Sequence, residues 1–389
     1  MAKLLFPLGL VTVLLSIILR PVLGVTLDQL FKVWPGVRNG GCDAYFDRGT
    51  KEGILDEWLE EINFALASAI DSIEQYNQSP RVRKALNVWF GIHNGGKLSD
   101  NDIETRAKVQ WVSDRLQSVQ EFFSFTIHEG DALAGQPYYP LNDDRYLFCG
   151  SDFLAEQATN TPAQDWLAKD LVDGDGNVVN IEAVPGYAEA LAENRDSAAW
   201  WSGDLTEING YYFSNTGGFY CDMGRTLGLT AVIGELEADI TGNPTVRKRV
   251  ESVVICPYCF AANNPSPNSF RIGSNGIASG TNLPDVLPKS ATLLHEAFHV
   301  VFGVVLNAGD DNDRGFLQGD EFYDIIDCIN EAKNNPEKRA RRNPENYVFF
   351  VAHMFYLFGK DDDNIDHNWD FAPMGRGSNK IFGAKDQIR

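Results

Sequence analysis

His295, Glu296 and His299 stand in the order H-E-x-x-H within the run Ser290-Ala-Thr-Leu-Leu-His-Glu-Ala-Phe-His-Val-Val-Phe-Gly303. Leu293, Leu294, Phe298, Val300, Val301 and Phe302 surround these three polar residues, so the run reads as a buried helix. Residues four apart on a helix stand one above the other on the same face, and His295 and His299 can therefore offer two imidazole nitrogens to one ion. Glu296 sits beside them, close enough to handle a proton. Zn²⁺ favours a tetrahedron of nitrogen and oxygen ligands, and a catalytic site keeps one corner open for a water whose pKa falls to about 7. The expectation is one zinc ion on His295 and His299, with Glu296 as general base. A core helix whose histidines merely hydrogen-bond would have the same apolar surround. A third ligand is what separates the two readings.

The chain that follows offers several acids. Asp320 to Lys333 reads as a helix with a core stripe of Phe322, Ile325, Ile326 and Ile329; Asp320, Tyr323, Asp324 and Asp327 form a second stripe at the same i, i+3, i+4, i+7 spacing. The longer H-E-x-x-H-x-x-G-x-x-H pattern is excluded, because Phe302 and Val305 occupy the positions it needs. A glutamate on a following helix would be Glu321 or Glu331. An aspartate would come from that second stripe, where Asp320, Asp324 and Asp327 stand, or from Asp313 in the loop before it.

The remaining pattern predicts an α+β domain spanning 42–359. Apolar residues recur at helical spacing in Ile54–Gln75 and Ile103–Phe122, giving a helical first half. Phe123–His128, Tyr146–Cys149, Leu229–Ile233 and Val250–Ile255 read as strands of a small sheet. Residues 25–41 form a lead-in, 151–215 a surface insertion, Asn263–Leu287 a loop before the histidine helix, and 360–389 a loose polar tail. Asn343-Pro344 starts a last helix that runs to about Phe358. Asp173-Gly-Asp175-Gly-Asn177 opens like a calcium loop but lacks its Gly at position six and Glu at position twelve, and reads as a solvated turn.

With 389 residues, 44% of them hydrophobic, the chain has ample material for a core, and its net charge of −21 argues against nucleic acid and anionic membranes as partners. Met1 to Gly24 reads as a secretory signal: Lys3 forms the charged start, Leu4 to Leu19 the apolar core and Val22-Leu-Gly24 the cleavage site. An exported, extracellular chain with no stable membrane association after cleavage is expected. Its six cysteines then favour disulfides over a thiol metal site at Cys256-Pro-Tyr-Cys259.

The three stretches His295-Glu-Ala-Phe-His299, Gly319-Asp320-Glu-Phe-Tyr323 and Asn343-Pro-Glu-Asn-Tyr347-Val-Phe-Phe350, in that order, resemble the fungal deuterolysin family. These aspzincins include the peptidyl-Lys metalloendopeptidases. Asp320-x-x-Tyr323 keeps the family's spacing between ligand and tyrosine, and Cys42, Cys149, Cys221 and Cys256 resemble its cysteine landmarks, so the likeness extends over about 42–358. The resemblance implies a zincin-like fold with His295, His299 and Asp320 as ligands of one Zn²⁺, Glu296 as general base and Tyr323 as hydrogen-bond donor to the oxyanion. It also implies disulfides Cys42–Cys149 and Cys221–Cys256, which leaves Cys259 with Cys328. Two departures stand out. Leu317-Gln-Gly-Asp320 replaces the family's Gly-Thr segment, and the insertions near 151–215 and 261–287 are absent from the compact enzymes.

The function expected is a secreted zinc metalloendopeptidase, a hydrolase acting on protein or peptide substrates as a monomer. The alternative is a secreted zinc-binding or host-interaction protein without proteolysis, motivated by the same departures. The intact Glu296 counts against it, since zinc binding alone needs no base. A calcium-dependent surface domain resting on the Asp-rich loops is the weakest of the three.

Overall fold

A computed structural model describes residues 25–47, 53–93, 96–99, 102–129, 133–140, 145–193, 198–205, 207–214, 221, 226–305, 315–317, 321–359, 369–374 and 381–386. The signal segment Met1–Gly24, Asp313 and Asp320 lie outside the described residues.

The fold is α+β. A mixed seven-stranded sheet is built from β1 (Lys32–Val33), β2 (Arg145–Phe148), β3 (Ala155–Gln157), β4 (Ala198–Trp201), β5 (Tyr211–Ser214), β6 (Gly228–Ala238) and β7 (Pro244–Ile255), in the order β1-β2-β7-β6-β5-β4-β3. Strands β1, β2 and β7 run parallel, while β7 through β3 pair antiparallel. The β-branched runs of β6 and β7 explain the long central pair, and its burial on both faces near Val253 to Ile255 matches their unbroken apolar sequence.

Helices cover one face. Ile54–Glu74 and Ile103–Phe123 take nearly the bounds their periodicity predicts, burying Trp58, Ile62 and Leu66 on one and Val112, Leu116 and Val119 on the other. Between them lies Pro80–Phe90, which the sequence reading missed. Its signals are local: Ser79 caps it, Pro80 occupies the first turn, and Gly91 ends it at φ 63°. A Cβ on Gly91 would come within 2.1 Å of the Ala332 carbonyl oxygen, so the position admits no side chain. The last helix, Pro344–Phe358, is buried on every face and packs against Ile54–Glu74, Pro80–Phe90 and the histidine helix Ala291–Phe302.

Four expectations need correction. Phe123–His128 is no strand: the helix continues through Phe123 because Phe122 and Phe123 prolong its buried stripe, and Ile127 forms only an isolated bridge with Pro137. The 151–215 insertion is no mere surface elaboration. Its strands β3, β4 and β5 extend the sheet, and Ala163, Leu171, Ile181, Trp201 and Tyr211 close a second core beneath them. Within it the Asp173 turn is as expected, exposed and closed by its own carboxylate on the Asp175 and Asn177 amides. The tail carries a hairpin, Trp369–Met374 paired with Ile381–Asp386, which buries Phe371 and Ala384 against the last helix and the 280–281 turn. Finally, Cys42–Cys149 and Cys221–Cys256 are bridged, but Cys259 and Cys328 are separate buried thiols. Cys259 packs on Lys289 and Thr292, whereas Cys328 packs on Phe322 and Asn343. Elimination paired them only because it ignored where each thiol is held.

Among the described residues, no helix is long and apolar enough to cross a membrane.

Candidate metal centre

The histidine helix lies between the sheet, where it meets β6 and β7, and the helices Ile54–Glu74, Ile103–Phe123 and Pro344–Phe358. Every residue from Ala291 to Val300 is buried, as its nearly unbroken apolar sequence requires. Gly303 ends the helix at φ 76° and ψ 170°, a conformation that only glycine adopts readily. The chain then returns past the helix end through the parallel pair Val304–Val305 and Phe316–Leu317. Beyond it, Glu321 reaches the histidines.

His295, His299 and Glu321 each place one ligand atom within 4.8 Å of the other two. Glu321 Oε1 is 2.7 Å from His299 Nε2 and 3.5 Å from His295 Nε2. Both imidazoles thus crowd one buried carboxylate oxygen. Three potential ligand atoms therefore stand close together in one buried place. Two imidazole nitrogens and one carboxylate oxygen form a donor set that could hold a metal ion.

The sequence reading favoured Asp320 as third ligand, and that residue lies outside the described ones. Glu321 was weighed only as a possibility, on the assumption that residues 320–333 were helical. The helix starts later, at Ile325, because Asp324 caps it by accepting from the Ile326 and Asp327 amides. Asp324 is thus engaged as a cap, and Glu321 to Tyr323 lie before the helix rather than on a helical face.

Two residues at the start of the last helix fix this geometry. Glu345 Oε2 lies 3.0 Å from His295 Nδ1, an acceptor that keeps a proton on Nδ1 and leaves Nε2 as the nitrogen that would ligate an ion. The Asn343 carboxamide, fully buried, accepts from the Phe322 amide at 3.1 Å and donates to the Phe322 carbonyl at 2.9 Å. It therefore clamps the residue between Glu321 and Tyr323. Neither role was read from the sequence, although both residues fall in the Asn343-Pro-Glu-Asn-Tyr347 stretch that carried the resemblance.

Charge in the site is unbalanced toward the acidic side. Burial opposes charge on His295, yet the adjacent Glu321 and Glu345 overcome it and hold its pKa well above the usual range. Burial likewise opposes charge on Glu321, and the two histidines outweigh it and pull that carboxyl down. Burial raises the carboxyl of Glu296, against the pull of both histidines. Three carboxylates around two imidazoles make a pocket that favours a cation.

Glu296 itself points to the sheet side, where the Thr230 hydroxyl donates to its Oε2 at 2.8 Å. Tyr323 stacks on His295, with ring centroids 5.6 Å apart, and its hydroxyl donates to Glu321 Oε2. Although 63% of Tyr323 is exposed, its hydroxyl lies among carboxylates, and desolvation together with Glu321 raises its pKa far above the ordinary phenol value. A cleft of about 620 Å³ opens over this group, with Leu227, Gly228, Leu287 and Thr292 on its walls and His295, Glu296, Tyr323 and Glu345 at its chemical end. The Asn263–Leu287 segment supplies part of that wall, mostly as loop with a short helix, Phe270–Asn275.

Comparison of the chain with protein-family models, with curated proteins and with solved structures finds no match.

Proposed function

We propose that this chain is a zinc-dependent metalloendopeptidase of zincin type, exported and disulfide-bonded, holding one Zn²⁺ on His295, His299 and Glu321. The observation that carries the reading is the convergence of those three ligand atoms beside Glu296, at the end of an open cleft. The ligand set then follows the pattern of a glutamate beyond the histidine helix, rather than the aspartate implied by the deuterolysin resemblance. Two disulfides support an oxidising compartment, in keeping with the signal-like start of the chain.

When bound, such an ion supplies Lewis acidity and lowers the pKa of a coordinated water. The chain's own residues do the rest. Glu296, buried and next to His295, accepts the proton of the attacking water and returns it to the leaving amine. Glu345 holds His295 in the tautomer that presents Nε2. Tyr323 keeps its hydroxyl on Glu321 and is the donor available to turn toward oxyanion charge at the cleft.

The test is hydrolysis of an unfolded protein substrate by the metal-loaded chain, with and without a chelator. Glu296→Gln is expected to abolish hydrolysis while the zinc content stays at one per chain. Stoichiometric zinc with complete inertness of the wild type across a broad substrate panel would leave the non-proteolytic zinc-binding alternative in its place.

A further inference from the structure

The face of β6 that looks onto the histidine helix carries Gly228 and Thr230. Residues i and i+2 of a strand share a face, and these two meet the same carboxylate. The Thr230 hydroxyl, buried, donates to Glu296 Oε2 at 2.8 Å. At Gly228 a Cβ would come within 3.1 Å of Glu296 Oε1 and 2.6 Å of the Thr292 methyl Cγ2. Gly228 has no positive φ, so space rather than backbone conformation accounts for the glycine here.

A glutamate side chain is free to rotate about several bonds, and locking it costs rotamer entropy. A base that abstracts a proton in a transition state must nevertheless present one oxygen at a fixed place. Here the sheet does the locking. One oxygen is engaged by a hydroxyl donor, and the other lies in the gap left by a missing side chain, on the side where Glu296 borders the cleft.

We infer that Thr230 and Gly228 are positioning residues for Glu296: Thr230 fixes Oε2, and Gly228 keeps the approach to Oε1 clear for the attacking water. The inference rests on the peptidase reading of the same site. It assigns a catalytic requirement to a strand that neither the H-E-x-x-H pattern nor the third ligand involves. The two residues act through Glu296 and touch neither the ion's ligands nor the reacting bond. Their loss should therefore appear in turnover rather than in substrate affinity or metal content.

The experiment compares wild type with Thr230→Val, Thr230→Ser and Gly228→Ala, each loaded with zinc, on a quenched fluorescent peptide cleaved by the wild type. Thr230→Val preserves shape and removes the donor, and is expected to lower kcat about 10- to 100-fold, a part of the roughly 100- to 10,000-fold that a general base contributes. KM should stay within about twofold, and zinc at one per chain. Thr230→Ser restores the hydroxyl and is expected to recover most of kcat. Gly228→Ala should lower kcat with zinc retained. A purely structural role would instead lower the melting temperature of Thr230→Val with kcat unchanged, and Ser would not rescue it. Wild-type kcat in a folded Thr230→Val would overturn the inference while leaving the peptidase reading intact; if Val fails to fold, equal turnover of Thr230→Ala and Thr230→Ser would overturn it equally. An inert wild type would remove the peptidase reading itself, and the inference with it.

Discussion

His299 Nε2 stands 2.7 Å from Glu321 Oε1, and His295 Nε2 stands 3.5 Å from the same buried oxygen. One carboxylate oxygen thus faces two imidazole nitrogens, the donor set that the proposed ion would take. Two adjacent acids can be told apart on this basis. Glu321→Ala should abolish stoichiometric zinc, a larger loss than the roughly 10- to 100-fold that supporting residues cost, while Asp320→Ala should retain it. Zinc content after dialysis against a weak chelator measures both. Retained zinc in Glu321→Ala, with loss in Asp320→Ala, would restore the aspartate ligand implied by the resemblance.

The supporting residues make a graded prediction. Glu345→Gln keeps an acceptor near His295 Nδ1 but removes its charge, and Glu345→Ala removes both. Zinc affinity should fall about 10- to 100-fold in Glu345→Ala and less in Glu345→Gln. Asn343→Ala frees the Phe322 main chain from its paired bonds and should weaken zinc by a similar factor. Competition with a fluorescent zinc indicator checks the order, and equal affinity in all four proteins would contradict it.

What could be read from the sequence follows the range of the interactions. His295, Glu296 and His299 were legible because four-residue helical spacing brings them together, and the helix that carries them obeys the same period. Asn343-Pro344 fixed the start of the last helix for a local reason as well. The third ligand was harder. Its position depends on where the helix at Ile325 starts, and the run 320–324 satisfies a helical stripe in sequence while Asp324 in fact caps the helix and delays its start to Ile325. Thr230, Glu345 and Asn343 come from a strand and a helix far along the chain, and only the tertiary packing of those elements on the histidine helix brings them in. The 151–215 segment failed for a related reason: β3 to β5 are three or four residues each, too short for period-two alternation to stand out, and they acquire identity only by pairing.

The cysteines give a direct chemical count. Burial pushes the Cys259 thiol up to about 11, and burial with nearby acids pushes Cys328 well above its ordinary value. Neither is nucleophilic in the folded state. An aromatic disulfide reagent should therefore find no reactive thiol on the native chain and two after unfolding without reductant, the number left free by the two bridges. No thiol after unfolding would mean that Cys259 and Cys328 are bridged after all.

Stability should carry a pH signature from Glu61, which lies away from the metal ligands. On Ile54–Glu74 its carboxylate accepts from the Ser290 hydroxyl, at the N-cap of the histidine helix, and from the Phe270 amide at 3.0 Å. Burial pushes this carboxyl up from about 4.5 to about 7; the two hydrogen bonds oppose the rise, and Glu57 nearby adds to it. The folded chain then holds a proton that the unfolded chain has already released between those values. More protons on the folded state mean that stability from this group is fully present below about 4.5, falls as pH rises, and is lost once pH passes about 7. The ceiling is roughly 3 kcal/mol. Glu61→Gln can keep both contacts, since an amide oxygen accepts from Phe270 and an amide nitrogen donates to Ser290, and it carries no charge at any pH. Denaturant unfolding at pH 5 and pH 8, with both proteins in the same metal state, should show the Gln variant gaining on the wild type by about 1–3 kcal/mol between the two conditions. If the two curves stay parallel, the carboxylate is already ionised at pH 5, and the contact at the start of the histidine helix is an ordinary charged cap.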